Sequence, residues 1–270
     1  MTSPQDHGHA PFTRAMGDIT NIENPMTTSE EGLKPFPHTS AFVDDDGATP
    51  QPLELAYSQD PPNRIGAVVE ALRGVRVLIP VVANVEEMEE PEYEGQVVGD
   101  KRSHAAMVTV ETPDGRAALP VFSSTQAMAA WRQDARPVPV EAPKAALAAG
   151  TEADSLLVLD PGGPQATLIP SQAVAAIATG QEWTNPLLDA HVHTAIAEIV
   201  DAIPNAVQAE VLPGQTSQIR IVLALRPGLD RVGVVNATNQ MSAALGSTPV
   251  ITEKIDSLEL RITTAKTQSD

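Results

Sequence analysis

The sequence predicts an α+β protein: two small mixed α/β domains, each a largely antiparallel sheet packed by helices, after a disordered N-terminal tail. Three observations carry this. From Asn63 onward, amphipathic helical runs and short apolar strand runs follow one another. The last third reads helix–strand–strand–helix–strand, an order that forms a sheet with helices on one face. Residues 1 to about 62 are rich in Pro, Asp, Glu, Ser and Thr and lack sustained periodicity. Such a segment cannot bury enough apolar surface to offset chain entropy. The expected division is a disordered acidic tail over 1–35, a first domain over 36–180, a second over 187–263 and a tail over 264–270.

The elements follow in order. Within FPHTSAFVDDDG, Phe36, Phe42 and Val43 are expected to dock on the first domain. NRIGAVVEALRG places Ile65, Val68, Val69 and Leu72 on one helical face and stops at Gly74. VRVLIPVVANV is a nearly continuous apolar run, as a buried strand requires. The Glu-rich EEMEEPEYEG reads as a solvated loop. AAMVTVETPDGRAALPVF reads as two strands around the turn TPDG. SSTQAMAAW is a helix capped by Ser123 or Ser124. ARPVPVEAP is extended, with prolines that suit a sheet edge. KAALAAG is a helix ended by Gly150, and DSLLVLDPGGPQATLIP is a hairpin with PGGP at its tip. SQAVAAIATG is a helix capped by Ser171 and stopped by Gly180.

QEWTNP, residues 181–186, reads as the link to the second unit. The next helix points Leu187, Leu188, Val192, Ile196, Ile199, Val200 and Ile203 inward. AVQAEVL and SQIRIVLAL are strands joined through Pro213 and Gly214. A helix begun by Asp230 follows, then a last strand, SLELRIT.

Composition excludes several function classes. The chain has 270 residues and a formal net charge of −18, a field that repels phosphate backbones and anionic membrane surfaces. Nucleic acid and membrane are therefore not expected partners. There is no cysteine, which excludes disulfides, thiolate metal sites and sulfur transfer through a thiol of the protein's own. MTSPQDHGHAPFTR has no apolar core segment, and no stretch is apolar enough over about 20 residues to span a bilayer. The expected location is the cytoplasm.

Residues 100–150 carry a resemblance. With ALPVFSS at 118–124 and ARPVPVEA at 135–142 as its best motifs, this stretch resembles the N-terminal domain of the enhanced-serine-sensitivity (SseB) family, common in actinobacteria. The resemblance covers about residues 36–180 and, in element order only, 187–263. It implies the two-unit α+β arrangement and a C-terminal domain, and the family brings no established biochemical activity with it. In the family a comparable Asp-Lys stretch precedes the apolar strand, here Asp100 and Lys101, while Arg102 and His104 depart from its small or acidic residues.

Candidate chemistry is sparse. Lys101, Arg102 and Arg116, with His104 beside them, flank the central strands of an acidic protein, as a pocket for a carboxylate or phosphate would; charged ends of edge strands explain them as well. His191 and His193 form an H-x-H pair, but on a helix positions two apart diverge by about 200°, which argues against a metal site; His7 and His9 lie in the tail. Asp44, Asp45, Asp46 and Gly47 start like a calcium loop that Pro50 and Pro52 interrupt. PGGP lacks the spacing of a phosphate-cradling loop. Ser123 or Ser124 with His104 makes a conceivable nucleophile and base, although capping accounts for the serines. Trp131 and Trp183 are either anchors for a partner or covers for the core. No cofactor and no metal are expected. The reading that follows is a non-catalytic cytoplasmic binding or adaptor protein with a protein partner. The alternatives are a sensor or enzyme for a small amino-acid-like anion, and a structural homo-oligomer pairing through exposed strand edges.

Overall fold

A computed structural model describes residues 42–83 and 105–265. The expected disordered tail over 1–35, Phe36, His7 and His9, the Glu-rich run after Ala83, Asp100, Lys101, Arg102, His104 and the last five residues lie outside the described residues.

The described chain opens on a helix that the sequence did not predict. α1 (Gln51–Tyr57) has a proline in its first turn, and Leu53 and Ala56 lie on one face against α2 (Pro61–Leu72). Residues 42–62 were expected to be mostly disordered or loosely attached. Instead Leu53 is fully buried, a contribution of roughly 2 kcal/mol. Val43, expected to dock, is 70% exposed.

β1 (Arg76–Ala83) is the apolar run after Gly74. The expected single strand before the TPDG turn is split: β2 (Ala105–Met107) pairs with β1, and β3 (Val110–Glu111) pairs with β4 (Ala117–Val121) across the turn. α3 (Thr125–Trp131) starts at Ser124, whose Oγ accepts from Ala127 N. β5 (Arg136–Glu141) runs straight into α4 (Ala142–Glu152), which passes through Gly150 instead of ending there. β6 (Leu157–Leu159) and β7 (Thr167–Ile169) form the hairpin with PGGP at its tip. α5 (Ser171–Thr179) follows and ends at Gly180, at φ +71°. Ser171 is its first helical residue, not its cap, and its hydroxyl is used elsewhere.

These strands form two sheets, β2-β1-β5 and β3-β4-β6-β7, stitched by a bridge between Leu78 and Phe122. The first is antiparallel; the second includes one parallel pair, β4 with β6. α1, α2, α4 and α5 cover a shared core around Leu53, Val68, Leu72, Leu119, Leu159 and Ile177.

A 3₁₀ turn at Pro186–Leu188 leads into α6 (Ala190–Ala202), capped by Asp189. Leu188 was expected inward; the break before α6 leaves it 51% exposed. β8 (Ala206–Pro213) and β9 (Ile219–Leu225) pair antiparallel. α7 (Arg231–Ser247), capped by Asp230, is followed by α8 (Pro249–Lys254), a short helix without a helical period in its sequence, and then by β10 (Leu258–Thr264), parallel to β9. The order is β10-β9-β8. Ile219, Ile221 and Leu223 alternate toward the helices and build a second core with Val192, Ile196 and Met241. Among the described residues no helix is long and apolar enough to cross a membrane.

Candidate functional site

The densest buried polar cluster lies where the segment before α1 crosses the start of β1. Arg76 opens that strand with its side chain only 8% exposed, so the guanidinium needs acceptors on every side. Asp45 supplies two, to Nε at 2.5 Å and Nη2 at 2.9 Å. The carbonyls of Ala48 and Ser123 accept from Nη2 and Nη1. The Arg76 hydrogen bond holds the Asp45 carboxyl below its ordinary range. Asp45 and Asp46 also accept from the amides of Gly47 and Ala48, so the stretch resembling a calcium loop is a pair of short turns around an ion pair.

Ser123 continues the network. Its amide and its Oγ both donate to Asp160, each at 2.7 Å, and Tyr57 Oη donates to the same carboxylate at 2.8 Å. Thr49 Oγ1 lies 3.2 Å from Ser123 Oγ. Burial, and then the adjacent Asp160 charge, push the Tyr57 phenol far above its ordinary value. The Ser123 proton is therefore directed at a carboxylate, and Ser124 is occupied as a cap. No sequence signal pointed to this cluster, because the bonds that Arg76, Tyr57 and Ser123 make in it span 28 to 103 residues.

Arg116 sits at the contact between the two cores. Its guanidinium donates to Asp114 and, at 2.5 Å, to Asp256 in the loop before β10. Asp256 also accepts from Ser171 Oγ and Ser171 N, while its own amide donates to Gln218 Oε1. Burial pushes the Asp256 carboxyl upward, but the bonds from Arg116 and Ser171 outweigh it and hold the group low. A second tie runs from Asn185 Nδ2 to the Pro62 carbonyl at 2.9 Å. Lys101 and Arg102, expected to join Arg116 in an anion pocket, lie outside the described residues.

Both tryptophans are partly buried. Trp131 tilts against Phe122 with ring centroids 5.2 Å apart, and Trp183 packs on the first core within the link. His193 Nε2 donates to the Leu187 carbonyl, whereas His191 lies beside Asp189, so the two rings have separate partners. Among the described residues no group of three His, Cys, Asp or Glu is placed to hold a metal ion.

An open, mostly apolar groove lies between α1 and α2. Pro52, Leu55, Ala56, Ala67, Ala71 and Val75 line it, and Leu55 is 60% exposed at its mouth. Arg73 closes one end by donating to Glu70 and, at 2.6 Å, to the Gly180 carbonyl.

The first core thus belongs to an α+β domain whose buried charges are held by hydrogen bonds from within the domain and whose surface carries a mostly apolar groove. Residues 51–176 match the SseB protein N-terminal domain, so the chain carries an SseB N-terminal domain. The match begins at α1 and leaves Asp45 and Thr49 of the polar cluster upstream of it. No curated protein and no solved structure matches the chain.

Proposed function

We propose that the chain is a non-catalytic cytoplasmic adaptor, made of an SseB N-terminal domain within 36–180 and a small C-terminal domain over 187–263, which binds a protein partner. The observation that carries this is the groove between α1 and α2, mostly apolar, with the exposed Leu55 in its lining and Gln59, Glu70 and Arg73 as its polar members. An apolar side chain from a partner would gain burial there at little desolvation cost. The buried polar groups support the same reading, since Ser123, Tyr57 and Asp160 spend their hydrogen bonds on one another.

The test is affinity purification of the tagged chain beside Leu55→Asp, which leaves the core side of α1 unchanged. A partner recovered with the wild type and lost with Leu55→Asp, at equal thermal stability, supports an adaptor acting through this groove. Equal recovery by both removes the groove from the argument.

The anion-sensor alternative would draw on Lys101, Arg102 and Arg116. Asp114 and Asp256 already occupy the Arg116 guanidinium, which counts against it. A thermal-shift screen over amino acids and nucleotides separates the two readings: a hit abolished by Lys101→Ala would favour the sensor.

A further inference from the structure

The free sheet edges are not equally protected. β5 forms one edge of its sheet. Leu78 exchanges both backbone hydrogen bonds with Phe122, so it turns away from β5, and its opposite number Pro139 must do the same. By the same alternation Pro137, opposite Pro80, faces outward too. The outer edge of β5 therefore lacks amide donors at both prolines, which blocks strand addition there. The β8 edge is protected differently, by a bulge between Ala206 and Gln208 beside the exposed Val207.

β10 carries neither device. Ile219 N donates to the Ser257 carbonyl, and Ala265 N donates to the Leu225 carbonyl, so the odd-numbered residues of this stretch bond to β9. Leu258, Leu260, Ile262 and Thr264 consequently turn their amides and carbonyls outward. Their side chains continue the helix-covered face, where Leu260 and Ile262 are only partly buried and Leu258 is 36% exposed. The other face of the strand carries Glu259 and Arg261. Glu259 accepts from Gln215 N and Arg220 Nε, both through Oε1, which leaves Oε2 open; Arg261 is exposed.

We infer that two copies of this chain pair through β10, antiparallel about a two-fold axis centred on Leu260. In that register Leu260 faces Leu260 of the second copy, and Leu258 faces Ile262 in both directions, with outward amides meeting outward carbonyls. Glu259 faces Arg261 of the second copy twice by symmetry. The registers one step to either side set Glu259 against Glu259 or Arg261 against Arg261, so charge selects the central one. The result is a sheet continuous across both copies with one apolar face. This inference does not depend on the groove.

The chain has no cysteine, so single introduced thiols report the register cleanly. Oxidised Leu260→Cys is expected to give a covalent dimer, because hydrogen-bonded antiparallel pairs hold Cα atoms about 5.5 Å apart, within disulfide reach. Ile262→Cys, opposite position 258 of the second copy, is expected to remain uncrosslinked. Arg261→Glu, at an exposed position, should raise the dimer Kd in sedimentation equilibrium by about tenfold to a hundredfold with an unchanged circular dichroism spectrum. A wild type that sediments as a monomer up to its solubility limit overturns the proposal, as does crosslinking through Ile262→Cys but not through Leu260→Cys.

Discussion

At Gly47 the backbone sits at φ +76°, and an added Cβ would lie 2.8 Å from Thr125 Cγ2. Thr125 N donates to the Gly47 carbonyl at 2.9 Å, so the two segments cannot separate without losing that bond. Gly47→Ala should therefore cost about 1–3 kcal/mol in urea unfolding, and adding Thr125→Ser, which removes the clashing methyl, should return part of it. The neighbouring Asp45→Asn strips Arg76 of its counter-charge and should cost about 2–3 kcal/mol at neutral pH. Its sign with pH follows from the depressed carboxyl. Below pH about 4 the unfolded chain takes up a proton that the folded one refuses, so the stability from Asp45 is present at neutral pH and is lost as acid drives the group through its folded pKa. Urea midpoints at pH 7 and pH 3 should thus differ less for Asp45→Asn than for the wild type. Little of this was legible in the sequence. Asp45 reads as one residue of an acidic turn and Arg76 as the first of a strand, and only the fold brings them together. Ser171 misled in the same way: a serine opening a helix reads as a cap, yet its hydroxyl serves Asp256.

Among the elements, strong patterns were legible and short ones were not. α2 and β1 announce themselves by an apolar stripe and an apolar run, and Ser124 and Asp230 cap where capping chemistry predicts. α1 and α8, with 7 and 6 residues, are too short to display a helical period and are held by the burial of Leu53 and Ile251 in the two cores. The split into β2 and β3 was invisible because pairing partners, not propensity, decide it. The prolines of β5 did signal an edge, and they yield a prediction. Pro137→Val with Pro139→Val restores two outward amides on a strand whose Val138 is already 41% exposed. Light scattering should then show association rising with concentration beyond that of the wild type, with the monomer fold retained.

At the scale of the whole molecule, two cores meet through few polar contacts, and Asp256 gathers several of them. Asp256→Ala leaves both apolar cores intact but removes the acceptor for Arg116 and Ser171. The expected outcome is several-fold faster cleavage after the exposed Glu182 in the link by a glutamate-specific protease, with little change in circular dichroism. Unchanged cleavage would mean that the Asn185–Pro62 tie and apolar contact alone fix the two units. The hydrogen bond from Tyr57 to Asp160 spans 103 residues, and this bears on how the chain is made. At about 5–20 residues per second, a ribosome that has placed Tyr57 needs roughly 5–20 s more before Asp160 exists to receive it. For about 3–12 s of that interval the apolar strand β1, complete at Ala83, waits for β5, which ends at Glu141, with that edge bare. The nascent chain thus offers chaperones a target that the finished protein conceals.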